Sequence, residues 1–182
     1  PPELPEGMVV EQISNKPRPP LMIPAGCTNL VAGVVPTCSD ATASQAKLVK
    51  IADGQKEAYE EQITVLRKGV QHVQFDLKKP CAIYAIAVWH AHDAFKVYRS
   101  VVVQIADDAE FTKNVRVLFN NDLDNQAGQG MGSDRQYFES VEGKLIAGKG
   151  EKAQFVRLYS RGSTQAAFNE YTEVEIWGKP AP

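Results

Sequence analysis

Side chains able to hydrogen-bond a ligand are concentrated in one short stretch. His90, His92, Asp93 and Arg99 fall between residues 90 and 99, interleaved with Trp89, Phe95 and Tyr98. Imidazole, carboxylate and guanidinium groups supply directed donors and acceptors, and a neighbouring ring supplies a flat apolar surface. A few placed polar groups beside an apolar platform form the usual recipe for small-molecule recognition. Asn120 and Asn121, in a second polar loop, could bring amides to the same end of the fold. Each position also has a plainer reading. Trp89 and Tyr98 could be core residues, and for Trp89, which shares a strand face with Ile83, that is the better reading. The tip at residues 92–95 is expected to be exposed. His90 and His92 also form an H-x-H pair, which on a strand would put both rings on one side. A transition metal there would want a third ligand, and Asp93 is the only near one.

The flanking residues must position this loop. Ile83, Ala85, Ala87 and Trp89 alternate with Tyr84, Ile86, Val88 and His90. After the loop, Val97, Val101, Val103 and Ile105 share one face, interrupted by Arg99. Successive strand side chains point to opposite faces, so both runs predict strands. Further alternation predicts strands over residues 72–77, 115–120, 137–141, 144–146, 155–159 and 172–177. Residues 56–66 have some helical character but no clean apolar stripe, and residues 27–53 read as irregular. Many short strands separated by turn signals, with little helix, predict an all-β chain folded as a β-sandwich or barrel.

Seven prolines between Pro1 and Pro24 make that segment an extended lead-in or interdomain linker, with 8–13 able to form a short edge strand. The sandwich domain is then expected over residues 25–182. The chain begins with Pro, as expected of a trimmed or processed piece of a longer protein. Its net charge of −2 provides no basic field to attract nucleic acid, and no apolar run is long enough to span a membrane. Cys27, Cys38 and Cys81 are odd in number, leaving at least one free thiol. Cys27 and Cys38 could bridge, while Cys81 at a strand start reads as a small buried hydrophobe.

Motifs of hydrolases, kinases, nucleotide-binding folds and zinc proteases are absent, so catalysis is not expected. Clustered Asn and Asp at residues 120–125 could wrap a Ca²⁺, but they lack EF-hand spacing, and a solvated turn is the better reading.

Six pieces taken together resemble the discoidin-like domains, the coagulation factor 5/8 type C family. They are IADG at 51–54, VQFDL at 73–77, IYAIAVW at 83–89, VVVQIADDAEF at 101–111, FVRLY at 155–159 and EVEIWG at 173–178. The likeness covers residues 29–178 and is greatest to variants appended to secreted bacterial proteins, carbohydrate-active enzymes among them. It implies a galactose-binding-like jelly roll. It also implies a structural Ca²⁺ held by Asp53, carbonyls around Ala52, and Glu173, against the plainer reading of a turn and a solvated strand residue. One departure is that Gln55-Lys56-Glu57-Ala58-Tyr59 follows the Asp53-Gly54 turn, where the family often has an acidic or Thr-Trp element.

The expected function is that of a non-catalytic carbohydrate-binding module in a larger secreted protein. It would bind a glycan or polysaccharide through His90, His92, Asp93, Phe95, Arg99, Asn120 and Asn121. The rival is a structural or protein-interaction module that packs against neighbouring domains and binds no sugar. An exposed aromatic in the 90–99 loop favours the first, and a large apolar patch on a sheet face favours the second.

Overall fold

The computed structural model describes residues 3–182. Its strands are β1 (Thr28–Asn29), β2 (Thr37–Cys38), β3 (Thr64–Leu66), β4 (Gln71–His90), β5 (Val102–Ala106), β6 (Arg116–Asn120), β7 (Lys144–Ser160) and β8 (Asn169–Pro180). All ladders between these strands are antiparallel. The order is β1-β8-β4-β7-β5-β6, with β2 added to β4 and β3 added to β8. The all-β sandwich expected from the strand pattern is what forms.

β4 is the axis of this arrangement. Its second half pairs with β8 on one side and with β7 on the other. Nearly every residue from Cys81 to His90 is buried, so the expected division into an inner and an outer face disappears. A strand covered on both faces has no solvent side to mark. The ladder breaks between Asp76 and Cys81, where Lys78 adopts φ 69° and Pro80 has no N–H to donate. Proline in a strand is tolerated at such irregularities. Beyond the break β4 continues against β2 and the second half of β7, so the long strands carry the sheet around one core. Phe75, Ile83, Ile105, Leu158, Tyr171 and Ile176 lie in that core.

Several local expectations are corrected. Residues 97–105 are not one strand. Val97 and Tyr98 form single bridges to Phe138 and Ser163, Ser100 turns the chain at φ 54°, and β5 starts only at Val102. Residues 137–141 likewise hold one bridge rather than a strand. Residues 56–66 form no helix. A turn leads into β3, and the short helix α1 (Gln45–Leu48) with its 3-10 turn (Val49–Ala52) lies upstream, where irregular chain was expected. Cys27, Cys38 and Cys81 are all free thiols, so the possible 27–38 bridge is not formed.

The proline-rich lead-in lies along the sandwich. Val10 makes a parallel bridge to Gln136, Glu11 N–H donates to the Gln136 carbonyl at 2.7 Å, and Gln136 N–H donates to Val9 at 2.9 Å. Arg18 Nη1 donates to the carbonyls of Glu142 and Gly143, each at 2.8 Å, and Lys144 pairs with Glu11 at 2.7 Å.

Two glycines admit the backbone on either side of β4 at a second irregularity, between Ile83 and Ala85. A Cβ on Gly148 would stand 2.4 Å from the Ile83 carbonyl oxygen, and one on Gly178 would stand 2.3 Å from that of Ala82. Those neighbours are backbone atoms of a strand paired on both sides and cannot step aside. Gly148→Ala is therefore expected to cost about 1–3 kcal/mol, the usual penalty of overpacking. Urea unfolding checks this, and a variant of unchanged midpoint would show that the strands can separate there.

Candidate functional site

The loop after β4 is held by a buried polar knot. His90 is 1% exposed, its Nδ1 lies 2.9 Å from Glu139 Oε1, and its ring stacks on Tyr98 at 4.5 Å. Tyr98 is equally buried and donates its hydroxyl to Glu170 at 2.7 Å. Lys96 Nζ binds Glu170 at 2.9 Å and Asp93 at 2.6 Å. Burial by itself would lower the Lys96 pKa, but the bonds to Asp93 and Glu170 outweigh it and hold the ammonium above its ordinary value. Burial, reinforced by the bond to Glu170, pushes the Tyr98 hydroxyl far up, so it stays a neutral donor. These contacts join the 91–99 loop to β8 and to the chain entering β7.

The knot removes some expected ligand residues and frees others. His90 is a core residue facing Glu139, not a surface group. Trp89 is also core, donating Nε1–H to the Val141 carbonyl at 3.0 Å. The H-x-H pair does not converge: His92 Nε2 instead lies 2.7 Å from the Lys56 carbonyl oxygen. The tip emerges as expected, with Asp93 exposed and Phe95 60% exposed. Phe95 stands edge-on to Phe138, with centroids 6.1 Å apart, and its carbonyl accepts from Gln165 Nε2 at 3.2 Å. Gln165 belongs to the loop between β7 and β8, which also presents Phe168, 48% exposed.

A groove of about 640 Å³ runs from Phe95, Tyr137, Phe138 and Glu139 along the lead-in, with Ile13 and Pro17 in its other wall. Its size falls within the ordinary range for small-molecule sites, about 300–1,000 Å³. Phe138 and Phe168 are functional candidates that the strand pattern did not single out. The available signal was an aromatic at the tip of a polar inter-strand loop, repeated in Ser163-Thr164-Gln165-Ala166-Ala167-Phe168 as in the 92–95 tip.

Arg99, Asn120 and Asn121 fall elsewhere. Asn120 is buried and closes its own loop, with Nδ2 donating to Gly130 and Oδ1 accepting from Asp122 N–H. Asn121 Oδ1 accepts from Val101 N–H at 2.8 Å. In the 120–125 loop, Asp122 accepts hydrogen bonds from Ser100, Gln126 and Ala127. The loop is not the solvated turn expected, because Asn120, Asn121 and Asp122 at its start are buried.

The turn at Asp53-Gly54 meets Glu173 on β8. Glu173 is 1% exposed, and its Oε2 accepts from Gly54 N–H at 2.7 Å, while its Oε1 is buried without a partner. Burial, with the charge of Asp53 adding to it, pushes the Glu173 carboxyl up to about 8. Among the described residues no three His, Cys, Asp or Glu side chains converge. A cation between Asp53 and Glu173 would therefore take its remaining ligands from backbone carbonyls.

Solved structures share this architecture. A family 89 glycoside hydrolase from Clostridium perfringens aligns with a TM-score of 0.58 at 12% identity, over 84% of this chain and 15% of the hydrolase. Chitosan-binding module 1 of a chitosanase/glucanase from Paenibacillus sp. IK-5 aligns with a TM-score of 0.58 at 14% identity, over 83% of this chain and 99% of the module. The CBM32 module of AlyQ, solved with 4,5-unsaturated mannuronic acid, aligns with a TM-score of 0.54 at 14% identity, over 78% of this chain and 94% of its own. The fold is the discoidin-like β-sandwich. No family model matches the sequence, and no curated protein matches it. The discoidin-like sandwich spans only a small part of the hydrolase, whereas it spans nearly all of each separate module.

The two histidines give opposite expectations. His90→Ala removes the partner of a buried carboxylate and should lower stability by about 1–3 kcal/mol. His92→Ala should leave the melting curve near that of the wild type. Calorimetric melting of both checks this, and equal effects would mean that the His90–Glu139 pair does not anchor the loop.

Proposed function

We propose that this chain is a non-catalytic carbohydrate-binding module of a larger secreted protein, and that it binds glycan at the loop end carrying Phe95. The observation that carries this is the exposed Phe95 ring, braced edge-on by Phe138 at the mouth of the groove. A sugar ring has an apolar face that stacks on such a surface and a rim of hydroxyls that needs donors and acceptors. Asp93 and His92, on the same loop, and Gln165, which donates to the Phe95 carbonyl, would supply them, and Phe168 on the loop between β7 and β8 offers a second exposed apolar surface. The reading is supported by neighbours described as chitosan-binding, fucose-binding and CBM32 modules, each of them aligned over nearly its whole length. A shallow site of this kind binds modestly, and its use lies in raising the local concentration of a tethered partner domain.

The same reading includes a structural Ca²⁺ between Asp53 and Glu173. A buried carboxylate oxygen without a partner is costly, and a hard cation drawing on carboxylate and carbonyl oxygens would supply what Glu173 Oε1 lacks. Asp53 and Glu173 would hold the ion, with carbonyls around Ala52. The ion would neutralise both carboxylates and pin the turn after the 3-10 segment to β8.

A glycan array probed with the fragment tests the main reading. Phe95→Ala should lower affinity for any sugar bound by about tenfold while the melting temperature stays put, since stacking contacts of aromatic rings are worth about 1 kcal/mol or more. Unaltered binding by that variant would displace the site, and silence across the array would leave the structural-module reading in its place. For calcium, a chelator should lower the melting temperature and added Ca²⁺ restore it, because an ion bound only to the folded chain stabilises it. Glu173→Gln should lose that response; a wild-type melting point indifferent to chelator would remove the ion.

A further inference from the structure

A second pocket, of about 270 Å³, opens beside the 120–126 loop. Lead-in residues before the Val10–Gln136 bridge line it, as those after the bridge line the groove. Arg99 and Arg161 meet in it on paired backbone, with Arg99 N–H donating to Gly162 at 2.9 Å and Arg161 N–H donating to Arg99 at 2.8 Å. Among the described residues neither makes an ion pair; the arginines that do are Arg67 and Arg116. Adjacent like charges across paired backbone repel unless something lies between them.

The hydrogen bonds sharpen this. Arg99 uses only Nη1, donating to the Ser163 carbonyl at 2.6 Å, and Arg161 uses only Nε, donating to Ser100 Oγ at 3.3 Å. A guanidinium has five N–H donors, so most of both forks are free. Asn121 is 1% exposed, and its Nδ2 has no partner although its Oδ1 is taken. The acceptors, by contrast, are occupied. Asp122 Oδ1 accepts from Ser100 Oγ and Gln126 N–H, and its Oδ2 accepts from Ala127 N–H. The remaining lining carboxylates, Glu6 and Asp124, are exposed, and Asp124 binds Gln126 Nε2. Donors are left over and buried acceptors are not. The chemistry that fits is a group made only of acceptors and carrying negative charge, which paired guanidinium forks bind well.

We propose that the Arg99–Arg161–Asn121 pocket binds an oxyanion carried on a sugar, a carboxylate or a sulfate ester, so that the module selects acidic glycans. The choice of a sugar as carrier rests on the glycan-binding reading above, whereas the oxyanion chemistry of the pocket does not.

Two measurements on the full chain test it. In titration calorimetry, a tetragalacturonate and a sulfated carrageenan tetrasaccharide are compared with a neutral agarose tetrasaccharide. At least one acidic probe should bind about tenfold tighter than the neutral one, with the preference shrinking as salt is raised. The stronger of the two identifies carboxylate or sulfate as the group. Arg161→Gln should lower affinity for the acidic probe about tenfold and leave the neutral one unchanged. In NMR of the wild type, sodium sulfate or acetate should move the Nε signals of Arg99 and Arg161 and the side-chain amide of Asn121. Neutral and acidic probes binding alike, with these signals still, would overturn the pocket while leaving the glycan module intact. Signals that move with sulfate while no saccharide binds would keep the pocket and overturn its carrier. No binding and no movement would overturn both.

Discussion

A charge taken out of water must be met by another charge or by hydrogen bonds, and the end of this sandwich that carries Phe95 is built on that constraint. His90, Glu139, Tyr98, Glu170 and Lys96 come from three separate stretches of chain and are buried or nearly so. None of them would be tolerable there without the others. Their mutual bonds fix where the 91–99 loop leaves β4, where the chain enters β7 and where β8 begins, while His90 Nε2 and Glu139 Oε2 keep no partner. The exposed parts, Phe95 with Phe138 and Phe168 on the facing loop, are placed by what lies beneath them. Rigidity of that kind suits a binding surface, because little ordering has to be bought when the ligand arrives.

The lead-in adds a second layer of organisation. A proline-rich segment ordinarily serves as a spacer, extended and solvated. Here it has a partner, since residue 136 exchanges backbone bonds with residues 9 and 11, and Arg18 caps the carbonyls of Glu142 and Gly143. The consequence is that both concavities on this side of the molecule have one wall made by the sandwich and one made by the lead-in. The lining of both therefore includes residues outside the strand core.

How much could be read beforehand depended on the range of the interaction. That residues 83–90 form a strand followed from their period-two alternation, a local property, whereas its central place, covered on both faces, did not. The pairing of Asp53 with Glu173 came from a family resemblance; the structure bonds the neighbouring Gly54 N–H to Glu173 Oε2. The polarity of His90 points to solvent, yet the fold buries it. Its partner, Glu139, lies far along the chain in a stretch that alternates like an ordinary strand. Asn120 and Asn121 were legible as polar, but whether an amide faces a ligand or closes its own loop is decided by backbone geometry. Ser100, at φ 54°, ends what alternation describes as a continuous strand.

Sequence alone therefore determined the all-β class, the principal strands, the exposed tip at Asp93–Phe95 and the absence of familiar catalytic motifs, because period-two alternation and turn chemistry act between near neighbours. Tertiary structure decided which polar residues are structural, which aromatic braces Phe95, and that Arg99 and Arg161 stand side by side with donors to spare. Those outcomes rest on burial and on pairing between distant segments, and a side chain's burial is a property of the whole fold rather than of its position in the chain.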